Sequence, residues 1–231
     1  MSYWKKVICL SNSRKKSGRC VAGKEIINGQ IGQWIRPVSA HTSREVSIID
    51  QRFEDKTNTQ LLDIVDILFE KAVPENHQSE NHLIDTSYYW TKTEKFPWDD
   101  MPKLVDTPRT LWSNGNSSTS GINNRLLAEQ ATDYSASLYL IHVEKVTLMV
   151  GQKAPQFSDS KRAVRAGFNY NGVYYLIDVT DPFIETFYLG QGDGDYVITS
   201  PYLCVSLAEE YEKDGMCYKL IASILTKDRC K

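Results

Sequence analysis

The residues of this chain best equipped to do chemistry lie between Cys9 and Val38, where CLSNSRKKSGRCVAGKEIINGQIGQWIRPV gathers cations, hydroxyls and amides. Residues 1–40 hold eight Lys or Arg against one acid, Glu25, although the whole chain is nearly balanced at 27 basic and 29 acidic side chains. Local positive charge on a balanced protein attracts phosphate. Ser11, Asn12, Arg14, Lys16, Arg19 and Lys24 read as a set that contacts phosphate and sugar, with Gly18 and Gly23 letting the backbone approach a ligand. A basic loop kept only for solvation is the competing reading, and a protein contact is a third. Trp34 and Arg36, two apart on an expected strand, share a face and suit stacking of one base beside a clamped phosphate. The alternative places Trp34 in the core, with Arg36 snorkelling from it or paired with Asp63 or Asp66.

A second basic-aromatic group follows in KRAVRAGFNYNGVYYLIDV, where Lys161, Arg162 and Arg165 precede Phe168, Tyr170, Tyr174 and Tyr175. Phe168 and Tyr170 share a face, whereas Tyr174 and Tyr175 point opposite ways, so at most three of the four rings line one groove. Ten basic and 13 acidic residues lie after position 130, so long-range attraction to a polyanion comes mainly from the first half.

Other chemistries find weaker support. Gly18 is correctly spaced from Gly23-Lys24 for a phosphate-binding P-loop, but Glu25 stands where Ser or Thr must ligate magnesium, and no catalytic set emerges. Asp178, Asp181, Glu185, Asp193 and Asp195 form an acidic cluster that reads as solvated strand ends and turns before it reads as a metal site. Four scattered histidines and five cysteines without a CxxC pair give neither zinc spacing nor a disulfide framework. Cys20 has cationic neighbours but no base near it in sequence. No metal and no cofactor is therefore expected.

These side chains need rigid elements to hold them, and the chain reads as predominantly strand. LLDIVDILFE, SLYLIHVEKVTLMV, VYYLIDV and CYKLIASIL are rich in branched and aromatic residues, several with two-residue alternation. Asn28-Gly29, Asn171-Gly172 and LGQGDG supply turn signals, Asn171-Gly172 that of a hairpin. Strands are expected near 5–11, 19–27, 31–38, 61–71 and 82–90, then five or six more after the Ser- and Asn-rich stretch around residue 117. The expected fold is mainly β, with two small OB-like, partly open β-barrels. A first barrel over 1–98 and a second over 137–231 flank a short helical and loop connector, 99–136. No apolar run is long enough for a membrane span, and MSYWKKVICL lacks the features of a secretory signal, so a cytoplasmic location is expected.

CLSNSRKKSGRCVAGKEI, GQWIRPVS, LLDIVDI, HQSENHLID, FNYNGVYYLIDVTDP, YLCVSLAEEY and CYKLIAS together resemble the bacterial dual OB-containing domain family, from Val7 to about Leu225. The resemblance implies two OB barrels and, by fold analogy, binding of nucleic acid or a nucleotide. Two functions follow as expectations. One is a non-enzymatic binder of single-stranded or structured nucleic acid, an accessory factor in bacterial defence or repair. The other is a small-nucleotide sensor or nucleotide-processing enzyme using the same basic loop. A partner-binding accessory protein is a third.

Overall fold

Alternating apolar residues and positive-φ turns make strands where the sequence places most of them. In a computed structural model, which describes residues 1–153 and 161–231, the chain divides into two compact units, 1–105 with 227–231, and 106–226.

The first unit contains β1 (Tyr3–Lys15), β2 (Gly18–Ile27), β3 (Gln30–Val38), β4 (Asp63–Ala72), β5 (Asn81–Ile84) and β6 (Thr91–Lys95). Its order is β1-β2-β3-β5-β4, closed by β4 pairing back onto β1, with β6 beside β4. Only β3 and β5 run parallel. That is the strand order of an OB barrel. Closure depends on β1, which bends at a register shift between Cys9 and Ser11. Before the bend it pairs with β4, and from Val7 onward with β2. Bulges of this kind let one strand serve two neighbours at a barrel corner. Val7, Cys9, Val21, Ile35, Val65, Ile67 and Phe69 form the interior, joined by Val46 and Phe53 from the segment between β3 and β4.

The second unit contains β7 (Arg125–Leu127), the single turn α1 (Ala128–Ala131), β8 (Leu138–His142), β9 (Lys145–Gln152), β10 (Arg162–Tyr170) and β11 (Val173–Val179). Helix α2 (Pro182–Gln191), β12 (Gly194–Thr199), β13 (Tyr202–Tyr211) and β14 (Met216–Leu225) complete it. Here β8 pairs with β13 and β9 with β10, so two short strands do what β1 does alone. The parallel pair is β11 with β14, and β12 extends the sheet beyond β9. In α2, Asp181 accepts hydrogen bonds from the backbone N–H groups of Phe183 and Ile184, and Pro182 opens the helix. Ile184 enters the core of this barrel.

Both Asn-Gly turns form as expected, with φ of 52° and 78° at Asn28-Gly29 and 47° and 78° at Asn171-Gly172. This left-handed pair is the hairpin turn whose twist matches the strands it joins. Three expectations are revised. Ser11–Lys15 is strand, not loop, so the basic stretch is a hairpin with a two-residue turn. The strand expected at 82–90 is shorter, Asn81–Ile84, and a sixth strand follows it. Residues 99–136 do not form a separate connector: Trp98–Leu104 is a 3₁₀ helix of the first unit, while 106–136 belong to the second. Leu111, Trp112, Leu126 and Ala131 pack into the second core, which draws that stretch onto its barrel.

Candidate nucleic-acid interface

In the first barrel the basic segment is a rigid hairpin. Arg14 lies directly opposite Arg19, Lys15 opposite Gly18, and Lys16 takes the left-handed conformation at the tip, φ 46°. The tip is docked by paired backbone bonds, Arg19 N–H to the Val46 carbonyl at 2.8 Å and Val46 N–H to the Arg19 carbonyl at 2.9 Å. Ser17 donates to Glu45 Oε1 at 3.1 Å. A hydrogen bond from Ser43, with help from Ser17 and the nearby Lys16 charge, holds the Glu45 carboxyl below the usual glutamate value. The tip thus carries Arg14, Lys15, Lys16 and Arg19 with Glu45 as the acid built into it.

The remaining residues of the expected set sit elsewhere. Ser11 is buried and Asn12 donates inward, to Gln51 Oε1 at 2.7 Å and the Thr59 carbonyl at 3.2 Å. Lys24 lies five residues beyond Arg19 on the same strand, so it faces the opposite way. It is paired across β2 and β3 with Trp34, its Nζ 5.4 Å from the ring centroid, and it too is buried. Arg36 is only 3 % exposed and pairs with Glu80 Oε1 at 3.1 Å, not with Asp63 or Asp66. Asp63 is contacted instead by Lys92. Arg14, Lys16 and Arg19 therefore stay together, while Lys24, Trp34 and Arg36 form a separate, mostly internal group.

In the second barrel most of the expected basic-aromatic group is internal or engaged. Phe168 is buried and stacks on Tyr175, its cross-strand partner, at 5.5 Å. Tyr170 donates to the Pro108 carbonyl at 2.9 Å. Arg162 donates to Asp193 Oδ1 at 2.7 Å, and Arg165 to the Ser120 carbonyl at 3.0 Å. Of the acidic cluster, Asp181 caps α2 and Asp178 pairs with Lys153. No group of three His, Cys, Asp or Glu able to hold a metal occurs among the described residues. Cys9 and Cys217 are buried thiols pushed up to about 12 and about 11, which suppresses their thiolate forms, and all five cysteines are free.

Two barrels, each with a parallel pair joining its third and fifth strands, are the geometry to which known proteins are compared. A family model described as the dual OB-containing domain matches residues 5–224. The chain belongs to that family. No curated protein and no solved structure matches it.

In OB barrels the face of the second and third strands, with the loops joining strands 1–2 and 4–5, binds oligonucleotides or oligosaccharides. The basic hairpin of this dual-OB chain is the 1–2 connection of its first barrel. In the second barrel the corresponding connection includes Ala154–Ser160, which lie outside the described residues. The second-barrel face itself carries a groove of about 450 Å³ whose lining includes the expected Phe168 and Tyr170 beside His142, Lys145, Thr147, Asn169 and Tyr174, with Gly167 in its floor. A Cβ at Gly167 would lie 2.5 Å from the Tyr174 hydroxyl, so the absence of a side chain there lets the ring lie across the sheet. His142 shares a hydrogen bond with Ser200 at 2.8 Å and packs against Tyr202 at 4.9 Å. Tyr174 is one of the four rings expected to line a groove here, whereas His142, Lys145 and Asn169 are not among the expected site residues. Lys145 and Thr147 alternate with buried Val146 and Leu148, and that period-two pattern is the signal that marks their outward face.

Proposed function

We propose that this protein binds nucleic acid without transforming it, with the hairpin tip of the first barrel as the main phosphate contact. Arg14, Lys15, Lys16 and Arg19 cluster on a docked hairpin at the strand 1–2 connection of an OB barrel, and this observation carries the reading. Cross-strand placement of Arg14 and Arg19 concentrates positive charge at the tip, which favours an anion there. Tyr174, Asn169 and Lys145 on the second barrel add a ring for stacking, an amide and a cation on the face where OB barrels take up bases.

The test is binding of labelled single-stranded DNA and RNA to the wild type and to a variant with Arg14, Lys16 and Arg19 all changed to Ala. The variant is expected to lose about 10- to 100-fold in affinity at low salt, because each phosphate neutralised releases about one counterion. Unchanged affinity sinks the proposal. One observation favours the small-nucleotide reading: the second-barrel groove, about 450 Å³, has the volume of a single-ligand pocket. Thermal-shift titration with mononucleotides beside oligonucleotides separates the two, since the tighter ligand gives the larger stabilisation.

A further inference from the structure

The first barrel carries a second cavity, of about 900 Å³, whose chemistry is unlike that of the basic hairpin. One wall is the segment 53–60, and the other is Tyr89–Lys92 at the start of β6. Trp90 and Phe53 reach it from the core, giving an apolar base. Tyr89 stands at the rim 59 % exposed. Asn58, Gln60, Thr57 and Thr91 contribute amides and hydroxyls.

The carboxylates set its selectivity. Asp63 is 1 % exposed; its Oδ2 accepts from the Gln60 N–H at 2.9 Å. Lys92 Nζ lies 2.6 Å from Oδ1 and balances its charge. Asp55 is engaged by Thr57, whose N–H and hydroxyl both donate to Oδ1, at 2.8 and 2.6 Å. With Glu54, three acids line the cavity against the one cation Lys92, which repels phosphate. Stacking rim, amides and hydroxyls suit a neutral ring bearing several hydroxyls.

We propose that this cavity binds a neutral sugar ring, either a free saccharide unit or the ribose of an unphosphorylated nucleoside. Tyr89 lies against the ring face, and Asn58 and Gln60 meet its hydroxyls. The site is independent of the basic hairpin and holds whether or not the protein binds nucleic acid.

The experiment is a titration of the full chain with N-acetylglucosamine, D-ribose, adenosine and adenosine 5′-monophosphate, read from backbone and indole NMR shifts of residues 89–92. At least one neutral ligand is expected to shift them saturably, adenosine binding better than its monophosphate. Tyr89→Ala, at an exposed position, is expected to weaken that binding tenfold or more, and Asn58→Ala to weaken it less. The Arg14, Lys16 and Arg19 triple variant is expected to keep it. Saccharide without nucleoside binding identifies a free sugar as the source, and the reverse identifies a ribose. Absence of saturable shifts with all three neutral ligands overturns the inference, as does monophosphate binding at least as tight as adenosine, or Tyr89→Ala binding as the wild type does.

Discussion

The two barrels share a strand order but treat the buried cation at their parallel seam in opposite ways. In the first, Arg36 on β3 lies opposite Asn81 of β5 and is met by the Glu80 carboxylate. In the second, Lys219 on β14 adjoins the residues that pair with β11, is 1 % exposed, and donates to uncharged oxygens. These are the Ser113 carbonyl at 2.7 Å and Asn114 Oδ1 at 3.0 Å, with the Tyr175 ring 5.2 Å from Nζ. Arg36 is brought in with its counter-ion, whereas burial pulls the Lys219 ammonium down to about 7. One seam is an ion pair; the other responds to protons.

The largest expected effect follows from that contrast. Between pH 7 and 10.5 the unfolded chain holds a proton on Lys219 that the folded chain lacks, so stability rises with pH across this window. Below pH 7 both states are protonated and the full cost of burying the cation is present. The shift corresponds to an upper bound on the order of 5 kcal/mol, reduced to the extent that the two acceptors and the ring hold the charged form. Urea unfolding of wild type and Lys219→Met from pH 6 to 10 measures it. The wild type should gain on the variant as pH rises, and parallel curves would show that Lys219 stays charged.

The first seam should behave differently. Arg36→Met leaves Glu80 buried without the guanidinium and is expected to cost about 3–5 kcal/mol with little pH dependence between 7 and 10. Hydrogen exchange should report the loss in β3 and β5 before it reaches β11 and β14. Equal loss in both barrels would show that they unfold as one unit, not as two.

The sequence made the strands legible because their alternation and Asn-Gly turns are local signals. It hid what depends on distant partners. Arg36 reads equally well as a phosphate clamp or as an ion pair, and Glu80, which decides it, lies 44 residues further along. Ser11 and Asn12 have the side chains of a phosphate loop, but strand pairing carries them into the barrel end. Phe168 is a plausible stacking ring until its register with Tyr175 turns it inward. Helix α2 had a local signature, Asp181-Pro182, masked by the expectation that nearby acids were turn residues. Lys219 gave no sign, since an isolated lysine in CYKLIAS looks like any strand lysine.

The next effect compares cations across barrels in the proposed binding reaction. Arg14 and Arg19 are cross-strand neighbours at a hairpin tip of the first barrel, and Arg162 lies on the second, donating to Asp193. Changing both first-barrel arginines to Ala should flatten the salt dependence of oligonucleotide affinity by about two counterions, and Arg162→Ala should leave the slope nearly unchanged. Fluorescence anisotropy at several salt concentrations reads both. A larger change for Arg162→Ala would reverse the assignment and make the second barrel the electrostatic anchor.

The smallest effect concerns stacking on the second barrel, where charge contributes less and ring geometry more. Tyr174→Ala is expected to lower oligonucleotide affinity by about 1–2 kcal/mol, as loss of one base-stacking ring does, without altering the salt slope. Gly167→Ala probes the same contact without touching the ring's chemistry: the new methyl enters the space beneath the Tyr174 hydroxyl and displaces it. If the ring must lie flat across Gly167 to receive a base, both substitutions should weaken binding together, and Tyr174→Phe, which keeps the ring and removes only the hydroxyl, should bind as the wild type does. Binding that survives Tyr174→Ala but fails in Gly167→Ala would instead assign the contact to the sheet surface beneath the ring.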